Sequence, residues 1–248
     1  DFVNVSGSRI LWSLGGGKLF VNENSEAPYA WKNVLTKEVG ANTGEFTTTG
    51  SEAIALAWSI AIDPKNSNNV YITYGDHFYF KSENGGNSMK GFAKFPDIKK
   101  IGNAADSGTF VIDEKDSQRL YAATQGPHQQ LKYGGVMHSK DGGKIWEVLG
   151  GSTKEDIRGL VRAAMLDLLV EYAAGDQRNL YVASYGDPET KNTGGVYTLA
   201  NVDGPKTNIW QKIFVPENSE KTHSLAASKD FATIYVGVDG SGLYKLKK

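Results

Sequence analysis

Ser139-Lys140-Asp141-Gly142-Gly143-Lys144-Ile145-Trp146 is the stretch on which the fold turns, because it sets Ser, Asp, Gly and Trp at the spacing Ser-x-Asp-x-Gly-x-x-Trp. Each residue type has a physical task there. The Asp carboxylate accepts backbone N–H bonds inside a tight turn, and Gly supplies the positive φ that such turns require. The Ser hydroxyl ties the turn to its flank. The Trp is a large apolar anchor with a single N–H to satisfy.

The surroundings repeat. An apolar residue followed by an aromatic one recurs at Leu11-Trp12, Val70-Tyr71, Leu120-Tyr121, Leu180-Tyr181 and Ile234-Tyr235, with the aromatics 59, 50, 60 and 54 residues apart. Upstream stand Ile62-Asp63-Pro64-Lys65-Asn66 and Ile112-Asp113-Glu114-Lys115-Asp116, with Val170-Glu171 and Ala226-Ala227 as weaker counterparts. Downstream a second strand follows, from Leu19-Phe20-Val21 to Gly242-Leu243-Tyr244. Degenerate copies of the opening turn lie at Ser82-Glu83-Asn84-Gly85-Gly86 and Asn22-Glu23-Asn24-Ser25, and outer strands begin at Trp31, Trp146 and Trp210. A period of this length marks a radial array of small sheets.

This pattern resembles that of the BNR/Asp-box β-propellers, which include sialidases, two-propeller xyloglucanases and sortilin-type receptors. The resemblance implies an all-β propeller of about five blade-like units with four-stranded antiparallel blades. The units span about residues 1–36, 51–92, 107–149, 163–214 and 222–248 of a single domain. It also implies that the box formed by Ser139, Asp141, Gly143 and Trp146 is structural. The fifth unit has no outer strand in the sequence, so two readings stand open: an incomplete last blade, or a chain forming part of a larger propeller completed by further chain or subunits.

Composition agrees. With 248 residues, 29 Gly and 12 Tyr, the chain is long enough for one β-rich domain of short strands and tight turns. The net charge of −1 is scattered, so no basic stripe points to nucleic acid or an anionic membrane. No apolar run approaches the roughly 18 residues of a membrane span. The absence of Cys excludes disulfides, thiolate metal sites and a Cys nucleophile, and nothing points to a cofactor. The resemblance places the protein outside the cell or at its surface.

Between Ser152 and Ala174, apolar residues fall at helical spacing behind a capping-box pair, Ser152 and Glu155. The repeat register demands an inner strand here instead. The expectation is a short helix or turn over about Lys154–Arg158, then a strand over about Leu166–Glu171.

Function must reside in the loops, since the fold alone does not specify it. The second-to-third-strand loops lie on the face opposite the box turn. They supply Tyr74, Asp76, His77, Gln125, His128, Tyr133, Tyr185, Asp187 and Asp239. Tyr with amides and acids suits sugar rings, whose apolar faces stack while their hydroxyls need paired hydrogen bonds. The expectation is recognition of a glycan or a protein through this face. An alternative is a xyloglucanase-like glycoside hydrolase acting on a β-glucan-type polysaccharide, with Asp76, Asp187 and Asp239 as candidate acids. The words Ile62–Asn66 followed by Val70-Tyr71, and Ile234–Tyr244 containing Asp239, resemble xyloglucanase phrases. A third reading is a structural module of a cell-surface or filament assembly. Sialidase chemistry is set aside: the chain has only five Arg, and Arg119 and Arg178 share a repeat position on the box side, where they read as surface decoration. His77 and His128 read as solvated loop residues rather than catalytic ones, and no metal site is expected.

Overall fold

The computed structural model describes residues 2–6, 9–14, 18–23, 30–33, 36–38, 46–48, 57–74, 79–87, 90–92, 106–126, 130–151, 157–161, 163–187, 192–216 and 221–248. The first sheet is β1 (Phe2–Ser6), β2 (Arg9–Leu14), β3 (Lys18–Asn22) and β4 (Lys32–Asn33). A small hairpin, β5 (Thr36–Glu38) and β6 (Phe46–Thr48), follows it. The second sheet is β7 (Ala57–Ile62), β8 (Val70–Tyr74), β9 (Tyr79–Ser82) and β10 (Lys90–Phe92). The third is β11 (Asp106–Ile112), β12 (Leu120–Gly126), β13 (Gln130–Ser139) and β14 (Glu147–Gly151). The fourth is β15 (Met165–Tyr172), β16 (Arg178–Asp187), β17 (Asn192–Leu199) and β18 (Gln211–Phe214). The fifth has three strands, β19 (Thr222–Ala227), β20 (Thr233–Val238) and β21 (Gly242–Lys247). All pairs are antiparallel meanders, and first strands touch in the order β1, β7, β11, β15, β19. The chain is a β-propeller with an incomplete last blade.

Sheets stack because their strands are apolar on both faces. Along β16, Leu180 and Val182 enter the core shared with Tyr121, Ala123 and Val136 of the third sheet. Tyr181 and Ala183 enter the core shared with Leu225, Ile234 and Val236 of the fifth. Alternating side chains of one strand therefore belong to two seams. Tyr71, Tyr121, Tyr181 and Tyr235 occupy the same register position, as the repeat predicts: their first-strand partners are Ala61, Val111, Leu169 and Ala226.

The Ser139–Trp146 turn is built as its residue types require. Asp141 Oδ1 accepts from Lys144 N at 3.0 Å, Ile145 N at 2.9 Å and Ser139 Oγ at 2.8 Å. Gly143 lies at φ 92° and donates its N–H to Ser139 Oγ. Trp146 donates to Gly143 O at 3.0 Å and packs its ring edge-on against Tyr79 and Phe110, tying the third sheet to the second. Ser82 and Asn84 repeat this geometry with an amide in place of the carboxylate. In the next seam Trp210 donates to Leu149 O. A Cβ on Gly150 would lie 2.4 Å from its indole nitrogen, so only glycine fits there.

Of the segment 152–174, residues 152–156 and 162 lie outside the described residues, and in the rest the register outweighs the helical periodicity. Residues 157–159 form a single 3-10 turn, and β15 runs over 165–172. A lone helix would have left two seams without their inner wall. One expectation fails: Arg178 is not surface decoration. It is 7% exposed and grips Asp113 of the preceding sheet through Nε and, at 3.3 Å, through NH2. Arg119 bonds Asp203 at 2.6 Å, again across a seam.

Replacing Trp146 by Ala should cost about 3–5 kcal/mol, as for other buried large aromatics, whereas Asp141→Ala should cost about 1 kcal/mol by analogy with lost caps. Denaturant titration of both variants measures the ratio; equal losses would contradict the division between anchor and turn lock. Removing the Asp113 carboxylate (Asp113→Ala) should cost about 3–5 kcal/mol, because it strands the Arg178 guanidinium.

Candidate functional site

Antiparallel register divides the molecule into two ends. The turns between first and second strands, and between third and fourth, lie at one end, the turn end. The second-to-third hairpins and the entries of the first strands lie at the other, the mouth end. Four first strands carry a register shift at the mouth end, between Ala57 and Ser59, Ser107 and Phe110, Met165 and Asp167, and Thr222 and Ser224. A bulge of this kind re-aims the side chains around it.

Most polar groups at the turn end are paired within the protein, the buried Tyr121 hydroxyl being an exception. Asp63 accepts from Lys65 N, Asn69 Nδ2 and, across the seam, Ser117 Oγ at 2.6 Å. Asp113 accepts from its own turn at Lys115 N and Asp116 N as well as from Arg178. Lys115 pairs with Asp176, Lys140 with Asp203 at 2.7 Å, and Lys248 with Glu171. Partial burial opposes ionisation of Asp203, but hydrogen bonds from Arg119 and Lys140 hold its pKa down at about 2.

The mouth end differs. Trp58 Nε1, Gln125 Nε2, Ser184 Oγ and Thr222 Oγ1 are buried there without a hydrogen-bond partner. Each lies within two residues of a bulge or of a residue paired beside one. Unsatisfied buried groups of this kind cost about 1–3 kcal/mol each, and in native proteins they call for an explanation. One bridge at this end is complete. The single Thr109 hydroxyl proton is shared between Leu166 O and Asp167 Oδ1, and Asp167 Oδ2 accepts from Leu225 N at 2.7 Å, linking the third, fourth and fifth sheets. Burial pushes the Asp167 carboxyl above its ordinary range, against the pull of those bonds.

The sequence-derived residues distribute unevenly. Gln125, Tyr185 and Asp239 come from successive sheets at one register position, four residues beyond Tyr121, Tyr181 and Tyr235. Gln125, Tyr133, Tyr185 and the ends Tyr74 and Asp187 lie in strands rather than loops, because β12, β13, β16 and β17 run on past the body of their sheets. Asp76, His77 and His128, and the side chains of Tyr74, Tyr133 and Asp187, lie outside the described residues.

Tyr185 and Asp239 are linked through Lys221. Lys221 Nζ stands 5.2 Å from the Tyr185 ring centroid and 3.6 Å from Asp239 Oδ2, and Asp239 N donates to Lys221 O at 3.0 Å. Bonding to the Tyr185 hydroxyl, supported by Asp239, holds the Lys221 ammonium above its ordinary pKa. His223, on the fifth sheet's bulge, sits edge-on to Tyr185 with ring centroids 5.4 Å apart. The result is a half-buried aromatic ring framed by an exposed cation, an exposed carboxylate and an exposed imidazole. Lys221 and His223 escaped the sequence reading because they precede and enter a first strand, not a hairpin; only the bulge brings them beside Tyr185. Among the described residues no three His, Asp or Glu side chains gather as a metal ion would require.

No protein-family model and no curated protein matches the chain. Solved structures do. An ancestral GH74 enzyme superimposes with TM-score 0.63 at 14% identity, over 96% of this chain and 27% of that one. The GH74 enzyme of Niastella koreensis gives 0.62 at 16%, over 100% of this chain and 35% of that one. The GH74 xyloglucanase of Xanthomonas campestris gives 0.61 at 15%, over 97% and 35%. The similarity is one of fold, and the chain spans about a third of the length of these enzymes.

The contrast between ends predicts an acid transition seated at the turn end. Asp203 has its pKa lowered from 3.8 to about 2. Its contribution is therefore present above about pH 4 and lost as pH falls through about 2, about 1 kcal/mol after allowance for partial exposure. Asp203→Asn should flatten stability against pH in that window; an unchanged acid limb would exclude Asp203 as a source.

Proposed function

We propose that this chain is a polysaccharide-recognising β-propeller that engages its ligand at the mouth end, with Tyr185, Lys221, His223 and Asp239 as the described part of the surface. One observation carries the reading: four buried polar groups without partners, Trp58 Nε1, Gln125 Nε2, Ser184 Oγ and Thr222 Oγ1, lie at the end that also presents this aromatic and charged cluster, while the opposite end is held mainly by ion pairs across the seams. A Tyr ring offers a face for a sugar ring, and Lys221 and Asp239 offer a donor and an acceptor for hydroxyls. The GH74 fold likeness supports a saccharide rather than a protein ligand, and with it an extracellular setting.

A second reading, glycoside hydrolysis, is favoured by the same likeness. Inverting hydrolysis needs two carboxyls about 6.5–9.5 Å apart, one protonated and one activating water. Asp239, Asp187 and Asp76 are the candidate acids of this reading.

Isothermal titration with xyloglucan oligosaccharides and cellotetraose, paired with reducing-sugar release, separates the readings. Tyr185→Ala should weaken binding at least tenfold, about 1.4 kcal/mol, with the fold intact by circular dichroism. Hydrolysis by wild type that Asp239→Asn abolishes at unchanged affinity would establish the enzyme reading. No binding by wild type would sink both.

A further inference from the structure

The seam between the third and fourth sheets ends, at the mouth, in two unpaired polar groups that face each other's sheet. Along β12, Tyr121 and Ala123 point into the core shared with the fourth sheet. Gln125, two residues further on, continues that face by strand alternation. Along β16, Leu180 and Val182 point into the same core from the other side, and Ser184 continues theirs. Ser184 pairs in register with Met165, itself a core member of this seam. Gln125 is 2% exposed and Ser184 0% exposed, yet Gln125 Nε2 and Ser184 Oγ have no hydrogen-bond partner.

The positions did not require polar residues. In the fifth sheet the register mate of Ser184 is Val238, which is apolar and 5% exposed. In the third it is Thr124, whose hydroxyl is satisfied by Gly135 O at 3.0 Å. The register mate of Gln125 in the fourth sheet is Tyr185, the aromatic centre of the exposed cluster. An amide and a hydroxyl buried unpaired, one sheet away from that ring, destabilise the protein alone, and a ligand bonding both would remove that cost.

We propose that Gln125 and Ser184 form a recessed subsite for a sugar hydroxyl, one seam away from Tyr185 along the mouth. Gln125 Nε2 donates to the hydroxyl oxygen, and Ser184 Oγ accepts its proton or donates in turn. The ligand class is a neutral oligosaccharide long enough to lie across the fourth sheet, with one ring on Tyr185 and a hydroxyl of another unit directed into the seam. This rests on the saccharide reading of the mouth end.

Gln125→Met, of matching length, and Ser184→Ala provide the test, read by thermal denaturation and by titration with cellotetraose and xyloglucan oligosaccharides. Neither group is bonded within the protein, so each variant should keep or raise Tm while losing at least tenfold in affinity. A fall in Tm of more than about 4 °C in both variants would show an internal bonding role and overturn the subsite. Affinity unchanged in both, with wild type binding and Tyr185→Ala not, sinks the subsite and leaves the wider reading standing. Wild type binding neither saccharide sinks both together.

Discussion

Asp113 serves two structures at once. Its carboxylate locks the turn between β11 and β12 through Lys115 N and Asp116 N, and it pairs with Arg178, the first residue of β16 in the next sheet. Local conformation and seam register are thus fixed by one side chain. Asp63 does the same with Ser117. Sheets whose strands are apolar on both faces could otherwise slide over one another, because dispersion and hydrophobic burial carry no directional information. The turn-end carboxylates supply that direction. Along the second strands what the mouth end presents follows from it, while bulges in the first strands reset the register before the mouth is reached.

Much of this architecture was legible in the sequence for the same reason. Ser139–Trp146 is a local device, and its hydrogen bonds close within eight residues. The aromatic positions 71, 121, 181 and 235 record one repeated register. Arg178 was misjudged because its partner is 65 residues away, and nothing in its own neighbourhood announces an ion pair. Gln125, Tyr133 and Tyr185 were assigned to loops because their surroundings are polar and rich in turn residues. The hairpins nonetheless remain paired, and in the third sheet Gly134 admits an approach to Thr124 O that a Cβ would block. Lys221 and His223 were missed because a bulge, not a motif, places them. The third-to-fourth-strand turn of the second sheet was the easier case, since Asn84 replaces Asp141 without altering the bonds to Ser82.

The two ends also divide the work of the molecule. At the turn end, carboxylates held low in pKa and paired across seams stabilise the stack above the acid range. At the mouth end, bulges and buried polar groups without partners are costs to stability, and such costs concentrate where proteins bind. Asp167 is the exception, a mouth-end carboxylate fully engaged in bonding, and it sits where three sheets must keep a common register.

Leu243 gives the stack a direction. It is 73% exposed, while its register mates Val136 and Val196 are fully buried beneath the following sheet. Tyr235 is likewise less buried than Tyr121 and Tyr181. With Leu243 bare, the backbone amides of β21 in this chain should exchange faster than those of β13 and β17, whose valines are covered.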